Sequence, residues 1–186
     1  TLFFAARPRA TALLLARNLR SSAAVRYYMS LLQAMGGVAA VQDGANNLDW
    51  DVLVDCLGAG LRGGARQWAA GLSDPLHLRA TWNYAAGIVE QLRGVIRTLA
   101  AAPRGAKVLF FCRQGEYRSA CVATVCVCAL GLMEVAEALR LVRASRRQAL
   151  PNNSRANDDI ARLQRLWGQD GQALRRAALE GARAGG

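Results

Sequence analysis

The chain has 186 residues, 53% of them hydrophobic, and a net charge of +11. That length and apolar share describe one domain with a proper core and exclude a globally disordered chain. Only Lys107 among the 24 basic residues is a lysine. The arginine surplus fits anionic partners, but no basic block is interleaved with aromatics, so a dedicated nucleic-acid surface is not the first reading.

The five cysteines are Cys56, Cys112, Cys121, Cys126 and Cys128. Their number is odd and three share one apolar stretch. That pattern points to a reducing, intracellular setting, cytoplasmic or nuclear, rather than a disulfide framework. Cys126-Val127-Cys128 lacks the spacing of a zinc site. The longest apolar run, Ala120 to Met133, is too short to span a bilayer and reads as a buried helix.

In chain order, no acidic residue precedes Asp43, while Arg7, Arg9, Arg17, Arg20 and Arg26 punctuate a stretch rich in Ala, Leu and Ser. Residues 1–37 therefore read either as an amphipathic surface helix or as organelle-targeting composition. Val38 to Val41 is a short apolar run, and Asp51 to Leu57 reads as a buried strand. The glycine-rich loop Gly58 to Gly64 lacks the Gly-Lys-Ser/Thr ending of an ATP-binding loop. Ser73-Asp74-Pro75 is a turn. His77, the lone histidine, reads as an exposed loop residue.

A long helix is expected over roughly Arg79 to Ala101. Its stripe is Trp82, Ala85, Val89, Leu92, Ile96 and Leu99, and Pro103 and Gly105 end it. Val108 to Phe111 then favours a buried strand, followed by a loop from Cys112 and a helix from Ser119 to about Leu130. Gly131 separates this from an amphipathic helix over Glu134 to Arg147, with Val135, Leu139 and Val142 inward. Pro151-Asn152-Asn153 makes a turn. A last helix carries Ile160, Leu163 and Trp167, and residues 168–186, rich in Ala, Gly and Arg, read as a frayed tail. The globular part is thus 38–167.

Strand, loop and helix in that order form a site for an anion, because loop amides and the helix N-terminus converge on one point. A thiol there ionises more readily, and an arginine there can grip two phosphate oxygens. The residues from Cys112 to Ser119 spell Cys-x5-Arg-Ser, with Gly115 at the loop's midpoint. This signature resembles that of the cysteine-dependent phosphatases, most closely the compact dual-specificity type. The element order from about Leu72 to Trp167 is similar to the C-terminal two-thirds of that family. A related Cys-x-x-Gly-x-x-Arg-Ser also occurs in bacterial RNase-adaptor proteins, and Leu78-Arg79-Ala80-Thr81 faintly echoes their pattern. The two helices after Gly131 fit the phosphatase layout better.

The resemblance implies an α/β fold, a mostly parallel central sheet flanked by helices. It implies Cys112 as nucleophile, passing through a phospho-cysteine. The amides of Arg113, Gln114, Gly115, Glu116, Tyr117 and Arg118 would cradle phosphate. Arg118 would clamp two oxygens, and Ser119 would donate to the Cys112 sulfur. The family's general acid lies just ahead of its long helix, which matches Asp74, with Asp55 as runner-up. No metal or organic cofactor is implied. The implied substrates are phosphorylated proteins, with anionic lipid or RNA 5′ ends as alternatives favoured by the basic charge. Two departures stand out. The family's usual histidine before the cysteine is Phe111 here, and Glu116 puts a carboxylate into the loop. They feed a competing reading, a catalytically weak phosphate-binding module.

Overall fold

The computed structural model describes residues 35–37, 51–56, 76–82, 87–103, 106, 108–112 and 115–185. Within them lie strands β1 (Met35–Gly37), β2 (Val52–Asp55), β3 (Leu76–Arg79) and β4 (Val108–Cys112). The helices are α1 (Ile88–Ala101), α2 (Arg118–Gly131), α3 (Val135–Ser145) and α4 (Ser154–Ala184). The strands form one sheet in the order β1-β4-β2-β3, and all three pairings are parallel. This is the expected α/β architecture.

β2 and β4 are buried along their whole length, as interior strands of a parallel sheet must be. Val52, Val54, Cys56, Val108, Phe110 and Cys112 join the core shared with the helices. The alternate residues Leu53, Leu109 and Phe111 are buried on the opposite face. β3 is an edge strand with exposed Leu76, His77 and Arg79, and β2 is its hydrogen-bonded neighbour.

α2 is apolar all round and almost wholly buried, the central helix of the molecule. Cys121, Cys126 and Cys128 lie in it as small core residues. α1 buries Leu92, Val95, Ile96 and Leu99, and α4 buries Leu163, Trp167 and Leu174. None of the described helices is long and apolar enough to cross a membrane.

Three expectations change. The helix expected from about Arg79 starts only at Ile88, because Leu76 to Arg79 pairs with Val52 to Asp55 as a strand. His77 is exposed, but on that strand. Residues 168–186, expected as a frayed tail, are helical through Ala184. Small residues explain this last difference. A Cβ on Gly181 would collide with the Arg97 carbonyl oxygen, so glycine lets α4 lie directly against α1. Ala177 and Ala178 are buried beside it, and Arg97 pairs with Glu180 at 2.9 Å.

Of the expected N-terminal segment, 1–37, only β1 is described, and its backbone pairing Met35–Phe110 brings the sheet's start inside that segment. The remainder of 1–37, the run Val38 to Val41 and the loop Gly58 to Gly64 lie outside the described residues.

Candidate active site

β4 delivers Cys112 to the carboxyl edge of the sheet, the edge where open α/β folds bind ligands. The chain turns back through Gly115, at φ 71°, a left-handed conformation that glycine adopts without strain. It enters α2 at Arg118, with Tyr117 as the N-cap residue. The turn aims the Gly115 N–H at the Cys112 sulfur, 3.2 Å away. From the first turn of α2, the Ser119 Oγ reaches the same sulfur at 3.3 Å. Once the thiol loses its proton, the hydroxyl is the partner that still carries a hydrogen, so it donates. Two donors directed at one sulfur favour the charged form. Ser119 is fully buried and Cys112 is 4% exposed, so water competes little for these bonds.

The Tyr117 side chain makes no cap hydrogen bond at the start of α2. The N–H groups of its first turn are those an anion would satisfy, and the helix dipole acts the same way. Arg118 is the first residue of that turn and is half-buried. Cys112, Gly115 and Ser119 therefore meet at the Cys112 sulfur, and Glu116, Tyr117 and Arg118 lie on the same turn into α2. Arg113, Gln114 and Asp74 lie outside the described residues. Leu76, two residues after Asp74, pairs with Val52 at the amino end of the sheet, whereas Cys112 stands at the carboxyl end. Asp55 is buried at the end of β2, but on the face that carries Phe111 rather than Cys112.

The connection between α3 and α4 bonds to the loop, a contact that no local pattern announces. The Leu150 N–H donates to the Glu116 carbonyl at 2.8 Å. The Asn153 amide donates to the Tyr117 hydroxyl at 2.9 Å, and the Arg155 guanidinium lies 4.1 Å over the Tyr117 ring. Leu150 has φ 48°, a conformation that costs a non-glycine residue about 1–2 kcal/mol. Arg143 holds it there by donating to the carbonyls of Leu150 at 2.6 Å and Ala149 at 3.4 Å. The signal that could have found this is the Pro-Asn-Asn turn with an arginine eight residues ahead of it.

The loop after β3 leaves the same edge of the sheet. Ala80, Thr81 and Trp82 are buried. The Thr81 N–H donates to Gln91 Oε1 at 2.9 Å, and Trp82 Nε1 donates to the buried Asp159 at 3.1 Å. Trp82, expected within the helical stripe, thus ties this loop to α4.

The other thiols stand in a different environment. Burial pushes Cys56 well above the usual thiol range, and the neighbouring Cys112 sulfur adds to the shift. Burial also raises Cys121, with the Asp159 carboxylate contributing, and raises Cys126. Cys128 is pushed up to about 12, chiefly by burial.

Among known proteins, no family model and no curated protein matches the chain. Solved structures do. Human DUSP28 aligns with a TM-score of 0.54 at 18% identity, over 74% of this chain and 94% of its own. Tk-PTP in its active form aligns with a TM-score of 0.50 at 24% identity, over 72% of this chain and 89% of its own. The fold is that of the dual-specificity and tyrosine phosphatase-like cysteine phosphatases.

Proposed function

We propose that this chain is a phosphomonoester hydrolase of the cysteine-dependent type, acting on phosphotyrosine or on phosphoserine and phosphothreonine in proteins. The observation that carries the reading is the Cys112 sulfur, held between the Gly115 amide and the Ser119 hydroxyl at the mouth of α2. The thiolate would attack phosphorus, and the ester oxygen would leave with a proton, giving a phospho-cysteine. Arg118 and the loop amides would bind the phosphoryl oxygens through the transition state. Water would then attack phosphorus, and Ser119, by donating to sulfur, would make it the better leaving group. No step calls for a metal.

The proton donor is the open half of the proposal. Asp74 is the proposed acid and Asp55 the second candidate. Asp55 would have to act from the face opposite Cys112, while Asp74 precedes β3, which starts at the other end of the sheet and separates it from the long helix, so the variants below decide between the two.

A second reading, a phosphate-binding module with little turnover, draws on one observation. No carboxylate occurs in the sequence between Asp74 and Glu90, so the loop after β3 supplies no acid to the carboxyl edge. Mass spectrometry of protein acid-quenched during turnover of an aryl phosphate tests both. A phosphoryl group on the peptide containing Cys112, with inorganic phosphate released, is the expected result. Phosphate protecting Cys112 from alkylation without any phospho-cysteine would support the binding module. Turnover with no modified Cys112 would overturn the mechanism.

A further inference from the structure

A phosphate cradle works only if its amides stay aimed at one point. Gly115 bonds the Cys112 sulfur through its N–H, and Tyr117 accepts the Cys121 N–H at its carbonyl but caps α2 with no side-chain bond. Further attachments of Glu116 and Tyr117 come from far along the chain, in the connection between α3 and α4 and the first turn of α4.

We infer that Asn153 and Arg155 are positioning residues for the phosphate loop, acting through Tyr117. This inference rests on the phosphatase reading of the same site. The Asn153 side chain makes two bonds at once. Its Oδ1 accepts from the Ala156 N–H at 2.9 Å and caps α4, while its Nδ2 donates to the Tyr117 hydroxyl at 2.9 Å. One amide therefore fixes the start of α4 relative to the loop. Arg155, in the first turn of α4, lays its guanidinium on the Tyr117 ring and limits how the ring can turn. Tyr117 immediately precedes Arg118, so a tilt of the Tyr117 backbone would redirect both its own amide and the root of the arginine. The strained Leu150 adds a third attachment, through its N–H to the Glu116 carbonyl. Strain that persists in a buried turn beside an anion site is expected where the turn's geometry serves that site. Nothing here touches the substrate; the three contacts hold the groups that would.

The test uses the full chain and inorganic phosphate, which should slow alkylation of Cys112 by iodoacetate. Tyr117→Phe deletes the hydroxyl while keeping the ring under Arg155. Asn153→Ser keeps a capping side chain that is too short to reach Tyr117. Each should raise the phosphate concentration giving half-protection by about three- to tenfold, as expected for one hydrogen bond. The thermal midpoint should hardly change for Tyr117→Phe. The double variant should be no worse than the worse single one, since both lose the same bond. Wild-type-like protection in both single variants, or fully additive losses, would overturn the inference. So would a loss of protection matched by an equal loss of thermal stability. If phosphate does not protect the wild type, the phosphate-site reading fails first, and the positioning role falls with it.

Discussion

The loop after β4 and the loop after β3 leave the same edge of one parallel sheet and carry opposite kinds of residue. The first brings a thiol, a left-handed glycine, an arginine and a buried serine to the start of a helix. Its Gly115 amide and Ser119 hydroxyl both bond the Cys112 sulfur. The described start of the second, Ala80 to Trp82, is buried, and Thr81 and Trp82 bond Gln91 on α1 and Asp159 on α4. Under the proposed function the first loop would hold a charge, whereas the described part of the second is itself held by α1 and α4. In the proposed mechanism the nucleophile and the cradle would share one loop, and the leaving group's proton would come from elsewhere.

The strongest attack on this contrast is Cys112→Ser. Serine keeps the shape but is a poor nucleophile without a base, so hydrolysis should fall by roughly four orders of magnitude or more. Binding of a phosphate analogue should survive. Wild-type turnover in that variant would mean the β4 loop is not the reacting loop.

The proton donor comes next. If Asp74 is the acid, Asp74→Asn should slow esters with poor leaving groups by roughly 10²–10⁴-fold and leave activated aryl phosphates nearly unchanged. It should also flatten the alkaline limb of the pH–rate profile. The same series on Asp55→Asn discriminates the two candidates. Leaving-group dependence in neither variant would turn the contrast between the loops into an argument for the binding module. Arg118→Lys keeps the charge but loses the planar fork, and a loss of about 10²-fold in kcat/KM is expected. Near-normal kinetics would remove Arg118 from the cradle.

The same contrast explains which parts of the chain could be read in advance. The β4 loop was legible because every determinant is local: four apolar residues that must be buried on both faces, then a signature whose spacing sets the turn. β3 was not. Leu76-His77-Leu78-Arg79 is an edge strand with three exposed residues, so it shows neither a continuous apolar run nor a clean alternation, and backbone bonds to β2 hold it in place. Trp82 fell in step with the helical stripe of α1 although it is buried by a long-range bond to Asp159. The end of α4 was misread because its contact with α1 uses glycine and alanine, residues that signal a tail by composition and a close approach only by position. The clamp on Tyr117 joins residues 36 apart in the chain, and no local pattern encodes it.

Trp82→Phe measures the held loop on its own terms. It removes the indole donor and leaves the buried Asp159 without that partner, at a cost of about 1–3 kcal/mol in urea unfolding. Phosphate protection of Cys112 should stay close to wild type. A large loss of phosphate affinity would show that the two loops are coupled rather than separate.

The smallest effect per site concerns the thiols themselves, one in the loop and four in the core. Cys112, with two donors on its sulfur, should be alkylated in the native protein, whereas Cys56, Cys121, Cys126 and Cys128 should not. For these four the folded state raises the thiol's proton affinity above its unfolded value of roughly 8.5. Below that pH both states hold the proton and stability is independent of these groups. Above it the unfolded chain releases protons that the folded chain retains, so stability falls as pH rises towards the folded values. Each thiol contributes up to about 1.4 kcal/mol per pH unit in that window. Urea midpoints measured at pH 7.5 and 9.5 should therefore drop on the alkaline side, and Cys126→Ala should make the drop shallower even if it lowers stability at neutral pH. An unchanged slope in that variant would mean that Cys126 titrates alike in both states, and the core would then be wetter than its burial implies.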